Sequence, residues 1–310
     1  MLASGAVAAG VTRAVPLTAD EAARLRSWLA EGNHGEMGYM ENHFELRCDP
    51  AKLQPGAESV IALAFNYTPA QLRDASLPQI ATYAYGLDYH DVLRRRLDEA
   101  VAKCRELAGG EWRICIDSAP TPDRHWAELA GIGTRCANGL IHVPTAGTRV
   151  FLAEIITSTP LEVLTDGVEQ CLSGGCTQCG ACHRACPSGA LRPDGTLDAR
   201  RCLSYLTIEK RGDWSAEGLE AMQTQQGRAT LYGCDICQNV CPLNRRTTPT
   251  AIDEFAPRPG LLTLTSEAAS TLTQEEFSRL FKGSPIKRTK LAGLLRNARN
   301  TLTTPDHDPP

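Results

Sequence analysis

The stretch CTQCGACHRACP, residues 176–187, decides how this chain reads. Its spacing, C-x2-C-x2-C-x3-C-P, sets Cys176, Cys179 and Cys182 on one tight loop, with Cys186 just before a proline that turns the chain away. That is the ligand run of paired [4Fe-4S] clusters, in which the fourth thiolate serves the other cluster. A second run, YGCDICQNVCPLN at residues 232–244, supplies Cys234, Cys237 and Cys241 and again continues into proline, Pro242. The crossover predicts one cluster held by Cys176, Cys179, Cys182 and Cys241, and a second held by Cys234, Cys237 and Cys186. Cys202, between the two runs, is the expected fourth ligand of the second.

A structural zinc ribbon needs two separated C-x2-C pairs and four tetrahedral ligands. Eight cysteines in these segments, with a third cysteine closing the first loop, exceed that demand. A disulfide scaffold belongs to small secreted chains, whereas this chain has 310 residues and an odd count of 13 cysteines. The remaining thiols, Cys48, Cys104, Cys115, Cys136 and Cys171, read as core or bystander residues of a reducing compartment.

Length favours two compact domains with additions, and 42% hydrophobic residues suffice for a core. The N-terminal MLASGAVAAG is small and apolar, but it lacks a basic leader region and is too short to span a bilayer. The expectation is a cytoplasmic monomer without a membrane association. The net charge of −4 does not announce nucleic-acid binding. It averages over an asymmetry, however: Lys282, Lys287, Arg288, Lys290, Arg296 and Arg299 follow one another with no acid among them. Such a run is either a solvated helix face or a phosphate-contacting surface.

Along the first half, TADEAARLRSWLA predicts a helix capped by Thr18 or Asp20, with Leu25, Trp28 and Leu29 on one face, packed on the first domain. SVIALAFN (59–66), WRICI (112–116) and VFLAEII (150–156) predict strands. DVLRRRLDEAVAKCRELA predicts a helix burying Leu93, Leu97, Val101, Cys104 and Leu107, with Arg94 to Arg96 outward. The mixture predicts an α/β or α+β domain ending near Pro160 and a polar link, TDGVEQCLSGG, into the cysteine-rich domain. There DARRCLSYLTIEKR reads as a helix carrying Cys202. TTPTAIDEFAPRPG reads as a linker to a basic, helical C-terminal segment, and the tail TPDHDPP as disordered.

Clusters move single electrons and do little chemistry alone, so the first domain should hold a second cofactor or a substrate pocket. Asp117 follows the strand WRICI directly, in a DSAP turn, and strand ends are frequent ligand sites. An ordinary turn or helix cap accounts for the same residues. His90, His125, His142 and His183 form no pair at metal spacing, so none is assigned as a ligand. His183, inside the first cluster loop, is expected to tune potential through hydrogen bonding.

The whole pattern resembles the epoxyqueuosine reductase family, cobalamin-dependent iron–sulfur enzymes that complete queuosine synthesis in tRNA. The resemblance runs through HGEMGYM (34–40), ELRCDP (45–50), LQPGAESVIALAFNY from Leu53, YGLDYH (85–90) and DSAP (117–120). It continues through the cysteine segments, RRCLSYLTIEKRG around Cys202, and SPIKRTKLAGLLRNA. It implies an α+β fold: a nitroreductase-like cobalamin-binding catalytic domain at 1–165, a ferredoxin-like two-[4Fe-4S] domain at 166–245, and a linker with a basic helical segment at 246–310. It also implies that Asp117 is the proton donor beside the cobalt, and that an external low-potential donor supplies electrons. The tRNA partner would be the anticodon stem-loop carrying epoxyqueuosine. Arg47 and Asn138 align with polar positions near the cobalamin pocket and are expected to hold the corrin's amide edges.

The chain departs from the family at one loop. Where relatives commonly read G-x-G-W-x-G-K-N, it reads Gly131-Ile132-Gly133-Thr134-Arg135-Cys136-Ala137-Asn138. The tryptophan, third glycine and lysine are absent, which puts cofactor affinity or substrate choice in doubt. Two other readings follow: a corrinoid iron–sulfur reductase of a small molecule, similar in layout to reductive dehalogenases, and a two-cluster electron carrier without cobalamin.

Overall fold

The computed structural model describes residues 1–164 and 175–303. The link that contains Cys171 and the tail from Thr304 lie outside the described residues. Among the described residues eight strands form: β1 (Ala8–Arg13), β2 (Ser59–Asn66), β3 (Gln79–Ile80), β4 (Trp112–Cys115), β5 (Thr134–Arg135), β6 (Ile141–His142), β7 (Val150–Thr157) and β8 (Thr230–Tyr232). The main sheet has the order β1-β2-β7-β4, antiparallel throughout. β5 and β6 make a small hairpin, and β3 runs parallel to β8.

SVIALAFN is apolar without alternation, as a strand covered on both faces requires, and every residue of β2 is buried. One face of the sheet is covered by the helix Tyr89–Ala108 through Val92, Leu93, Leu97 and Val101. Cys104 and Ala108 extend that contact stripe, whereas Leu107 is 88% exposed. The helical period carries the buried face from 104 to 108 rather than to 107. Ile252 and Phe255, from the stretch read as a linker, are buried in the same core.

The opposite face is covered by the helix Asp123–Leu129 and the hairpin, with Trp126, Ala130, Ile132, Ile141 and Val143 buried against Val60, Ala62 and Ile156. Gly10 of β1 permits this approach, since a Cβ there would fall 2.1 Å from the Ala130 carbonyl oxygen. β1 itself escaped the sequence reading. Alanine and glycine are weak strand formers, and Ala8–Arg13 is held extended by its full antiparallel pairing with β2.

The helix Ala19–Ala30 forms with Thr18 as its cap, closed by a reciprocal box with Glu21. Its Trp28 indole donates to the Leu197 carbonyl at 2.7 Å, so it reaches the cysteine-rich half as well. That half has its own small core of Leu203, Tyr205, Leu206 and Met222. The expected helix through Cys202 is broken: a 3-10 turn spans Ala199–Arg201 and a helix Leu203–Ile208, with Cys202 extended between them. Asp198 starts the turn by accepting the Arg200 amide, and Cys202 ends it, donating its own amide back to the Ala199 carbonyl before the next helix begins. C-terminal helices, ending in Lys290–Leu302, bury Phe277, Phe281, Ile286 and Leu294 with Ile80, Tyr85 and Tyr232.

Candidate active site and cluster sites

Asp117 stands just beyond β4 with φ of 48°, a left-handed conformation that aspartate tolerates better than bulkier residues. The turn aims its carboxylate at the N-terminus of the helix Tyr89–Ala108. There Tyr89 donates its hydroxyl to Asp117 Oδ2, and His90 Nε2 lies 3.4 Å from the same oxygen. The other imidazole nitrogen, Nδ1, is 2.8 Å from Asp88 Oδ1, and Asp88 also caps the helix by accepting the His90 amide at 3.1 Å. Tyr89 is clamped between the Phe151 ring, stacked at 4.2 Å, and the His90 ring at 4.1 Å.

These contacts set the charges. Burial works against the imidazolium, but hydrogen bonds to Asp117 and Asp88 outweigh it and push His90 up to about 9. For Asp117 desolvation by the surrounding protein is the largest single influence and raises the carboxyl, although 59% of the side chain is open to solvent. Hydrogen bonds from His90 and Tyr89, with the charges of His90 and Arg124, together outweigh it and hold the group below the ordinary carboxylate value. At neutral pH the pair is therefore an imidazolium and a carboxylate.

Behind this turn, the Thr121 hydroxyl donates to Asp123 Oδ1 at 2.6 Å and lies 3.4 Å from Glu154 Oε2. Burial raises both of these carboxyls, reinforced at Asp123 by the Asp117 charge and at Glu154 by the Asp123 charge. Arg47, on the helix Phe44–Cys48, donates to the Thr121 carbonyl at 3.1 Å and lies within electrostatic reach of Asp117. Its Nε is buried without a partner, and so is Asn138 Nδ2. Two unengaged buried donors call for an acceptor, and the amide oxygens at a corrin's edge are of that kind. The residues fit the group in this respect. Arg47 belongs to the Asp117 turn, however, while Asn138 belongs to the β5–β6 hairpin, where its Oδ1 accepts the Leu140 amide at 3.2 Å.

The cysteines gather in two groups. Cys182 lies beside Cys176 and Cys241. Cys202 lies beside Cys186, and Cys237 beside both of them, with Cys234 next to Cys202 and Cys237. Cys237 also faces Cys182, so the two groups adjoin. In the first loop, positive φ at Gln178 and Gly180 coils the backbone, and the Gln178 amide donates to Cys176 Sγ at 3.4 Å. Cys179 is exposed, and its carbonyl accepts Arg184 Nη1 at 3.0 Å. The His183 imidazole engages the hairpin, its Nε2 lying 3.0 Å from the Ala137 carbonyl, while the His183 backbone amide donates to the Cys182 sulfur.

The departing loop residues make this hairpin. Arg135 pairs with Glu128 at 2.9 Å, which fixes its charge on the helix Asp123–Leu129. On the far side of Asp117, Arg288 forms a bidentate pair with Glu209, both bonds 2.9 Å, and its guanidinium sits 5.6 Å from the Tyr39 ring centre. Arg288 is within electrostatic reach of Asp117. A groove beside it is lined by Lys210, Arg211, Trp214, Lys290, Arg296 and Arg299. Arg296 is engaged structurally, donating to the carbonyls of Leu206, Lys210 and Gly212 over the Trp214 ring. Lys287, Lys290 and Arg299 are exposed.

His90 and Tyr89 are the site residues that sequence reasoning missed. Their YGLDYH motif carried the resemblance without a role, because only the fold brings residues 89 and 90 to residue 117.

Fold and site together define an iron–sulfur oxidoreductase in which an α+β domain presents an aspartate–histidine pair beside a double-cluster segment. The family model described as "4Fe-4S double cluster binding domain" matches residues 175–244, and that described as "Epoxyqueuosine reductase QueG, DUF1730" matches residues 47–118. The epoxyqueuosine reductase of Cyclobacterium marinum is 40% identical over 282 residues, covering 90% of this chain and 87% of the relative. That of Leadbetterella byssophila is 42% identical over 281 residues, covering 90% and 88%. A solved epoxyqueuosine reductase in complex with an epoxyqueuosine-modified tRNA-Tyr stem loop superposes with a TM-score of 0.83 at 29% identity, over 97% of this chain and 78% of that one. The chain belongs to the epoxyqueuosine reductase family.

Proposed function

We propose that this protein reduces epoxyqueuosine to queuosine in tRNA, the last step of queuosine biosynthesis. The observation that carries the reading is the His90–Asp117 pair, set at the end of β4 in a chain of this family that also matches a double-cluster binding domain and brings Cys176, Cys182 and Cys241 next to Cys186, Cys202, Cys234 and Cys237. Cys176, Cys179, Cys182 and Cys241 would hold one [4Fe-4S] cluster, and Cys186, Cys202, Cys234 and Cys237 the other. Residues 1–165 would form a nitroreductase-like cobalamin-binding domain, 166–245 the cluster domain, and 246–310 a linker and basic segment. Arg47 and Asn138 would hold the corrin's edge.

Cobalamin bound here would supply a strongly reducing centre for opening the epoxide, fed with single electrons by the clusters from an external low-potential donor. The chain's own part is the proton. Removing the epoxide oxygen as water consumes two electrons and two protons. His90, charged at neutral pH, is the store of the first proton, which Asp117 receives through Oδ2 as the departing oxygen gains negative charge, and solvent, to which the Asp117 side chain is open, supplies the second. Asp88 keeps the imidazole oriented through Nδ1, and Tyr89 fixes the carboxylate. Exposed Lys287, Lys290 and Arg299 next to this edge support phosphate contacts with the anticodon stem-loop. We read the protein as a cytoplasmic monomer; among the described residues no helix is long and apolar enough to cross a membrane.

The test is anaerobic turnover of epoxyqueuosine-containing tRNA with a low-potential reductant, with and without cobalamin, read by nucleoside mass spectrometry. Loss of one oxygen only when cobalamin is present supports the whole reading. No conversion by protein with both clusters reducible overturns it, in favour of a small-molecule reductase if cobalamin binds and an electron carrier if it does not.

A further inference from the structure

The β5–β6 hairpin packs against the first cysteine loop at three points. The Ala137 amide donates to Cys176 Sγ at 3.4 Å. The Ala137 carbonyl meets His183 Nε2 at 3.0 Å. Thr134 closes over Gly175, where a Cβ would come within 2.8 Å of the threonine hydroxyl. Among these contacts sits Cys136, 7% exposed, its thiol beside Cys176, Cys182 and Cys241.

We propose that this hairpin, through the Cys136 thiol, raises the reduction potential of the cluster that Cys176 ligates. The proposal rests on the ligand assignment above. Reduction adds one negative charge to a cluster, part of it borne by the ligand sulfurs, and donors aimed at those sulfurs stabilise the reduced form. Cys176 Sγ already collects two backbone donors, the amides of Ala137 and Gln178, each at 3.4 Å. On this reading the Cys136 S–H, buried beside that sulfur, is a third donor, one that comes from a side chain and can be removed without touching the backbone. The Cys136 amide donates to Leu140 at 2.7 Å and its carbonyl accepts the Gly139 amide at 2.8 Å, so the turn persists when the side chain changes. Thr134, Cys136 and Ala137 thus make the loop that departs from the family pattern into a wall of the first cluster site.

The experiment is a potentiometric titration followed by electron paramagnetic resonance on the reconstituted full chain, comparing wild type, C136A and C136S after their iron and sulfide contents have been measured. In fully loaded C136A, one midpoint moves to more negative potential while the other stays. C136S, which restores a donor as O–H, brings the moved midpoint back to the wild-type value or above it. Unchanged midpoints in fully loaded C136A overturn the proposal, as does a parallel shift of both clusters. Loss of one cluster from both C136A and C136S would make Cys136 a ligand, and this also overturns it. If C176A in turn kept both clusters, the ligand assignment itself would fall, an outcome distinct from a failure of potential tuning alone.

Discussion

His90 Nε2 lies 3.4 Å from Asp117 Oδ2, and the two residues are an ion pair rather than a neutral acid beside a neutral base. The active proton is therefore on the imidazole before substrate arrives. The rate should hold up to about pH 8 and fall as pH rises through about 9, where His90 loses its charge. The stabilising effect of the pair follows the same sign, being complete below the ordinary histidine value of 6.5 and lost as pH rises through about 9. H90Q should lower the rate and abolish this alkaline limb. A rate that instead climbs steadily with acidity, following protonation of Asp117, would contradict the assignment of the store to His90.

Asp117→Asn keeps the shape of the side chain and removes its capacity to carry a proton. Turnover should drop by about 10²–10⁴, the usual weight of general-acid help. The visible spectrum of the clusters and the affinity for the tRNA stem-loop should be unchanged. Wild-type turnover in D117N would remove Asp117 from the mechanism.

Cys202→Ala should leave the first cluster in place and remove the second, so iron content falls by about half. The junction between the 3-10 turn and the helix Leu203–Ile208 is already extended at this position, and alanine accepts that conformation without a cap being lost. Full iron content in C202A would require a different fourth ligand.

Charge reversal at Lys287 and Lys290 tests the basic edge without breaking the Arg288–Glu209 pair. Stem-loop binding should weaken, and its dependence on log salt should flatten by about one unit for each phosphate that is no longer neutralised. An unaltered affinity and slope would leave these lysines as a solvated surface.

Gly10→Ala tests the sheet. The new Cβ meets the Ala130 carbonyl oxygen at 2.1 Å, so either β1 or the end of the helix Asp123–Leu129 must shift. Overpacking of this kind costs about 1–3 kcal/mol, readable as a lowered unfolding midpoint.

Legibility in the sequence followed how local each signal was. Three strands and the helix Tyr89–Ala108 could be read because their apolar residues are dense over a strand's length or recur at helical steps, and of the two caps open to the helix Ala19–Ala30 the structure uses Thr18, boxed with Glu21. The cysteine spacing carries its own chemistry and needed no fold. β1 was hidden because its residues favour no strand on their own, and Leu107 was misplaced because a three-residue step near a helix end points to either face. The role of His90 was invisible for another reason. Its partner Asp117 is 27 residues away, and only the left-handed turn after β4 brings the carboxylate back to the helix start. Cys136 read as a bystander because a lone thiol has no spacing to betray it.

The parallel pairing of β3 with β8 ties the second cysteine run to distant parts of the chain. β8 leads directly into Gly233 and Cys234, and its other neighbours include the helix Lys290–Leu302, whose Asn297 donates to the Leu231 carbonyl at 3.0 Å. The loop that presents Cys234 and Cys237 is thus fastened on one side by a strand from the first half of the fold and on the other by the C-terminal helices. Under the crossed ligand assignment, in which Cys241 serves the first cluster and Cys186 the second, neither ligand set is complete until these segments have met, so that loading of both clusters is coupled to folding.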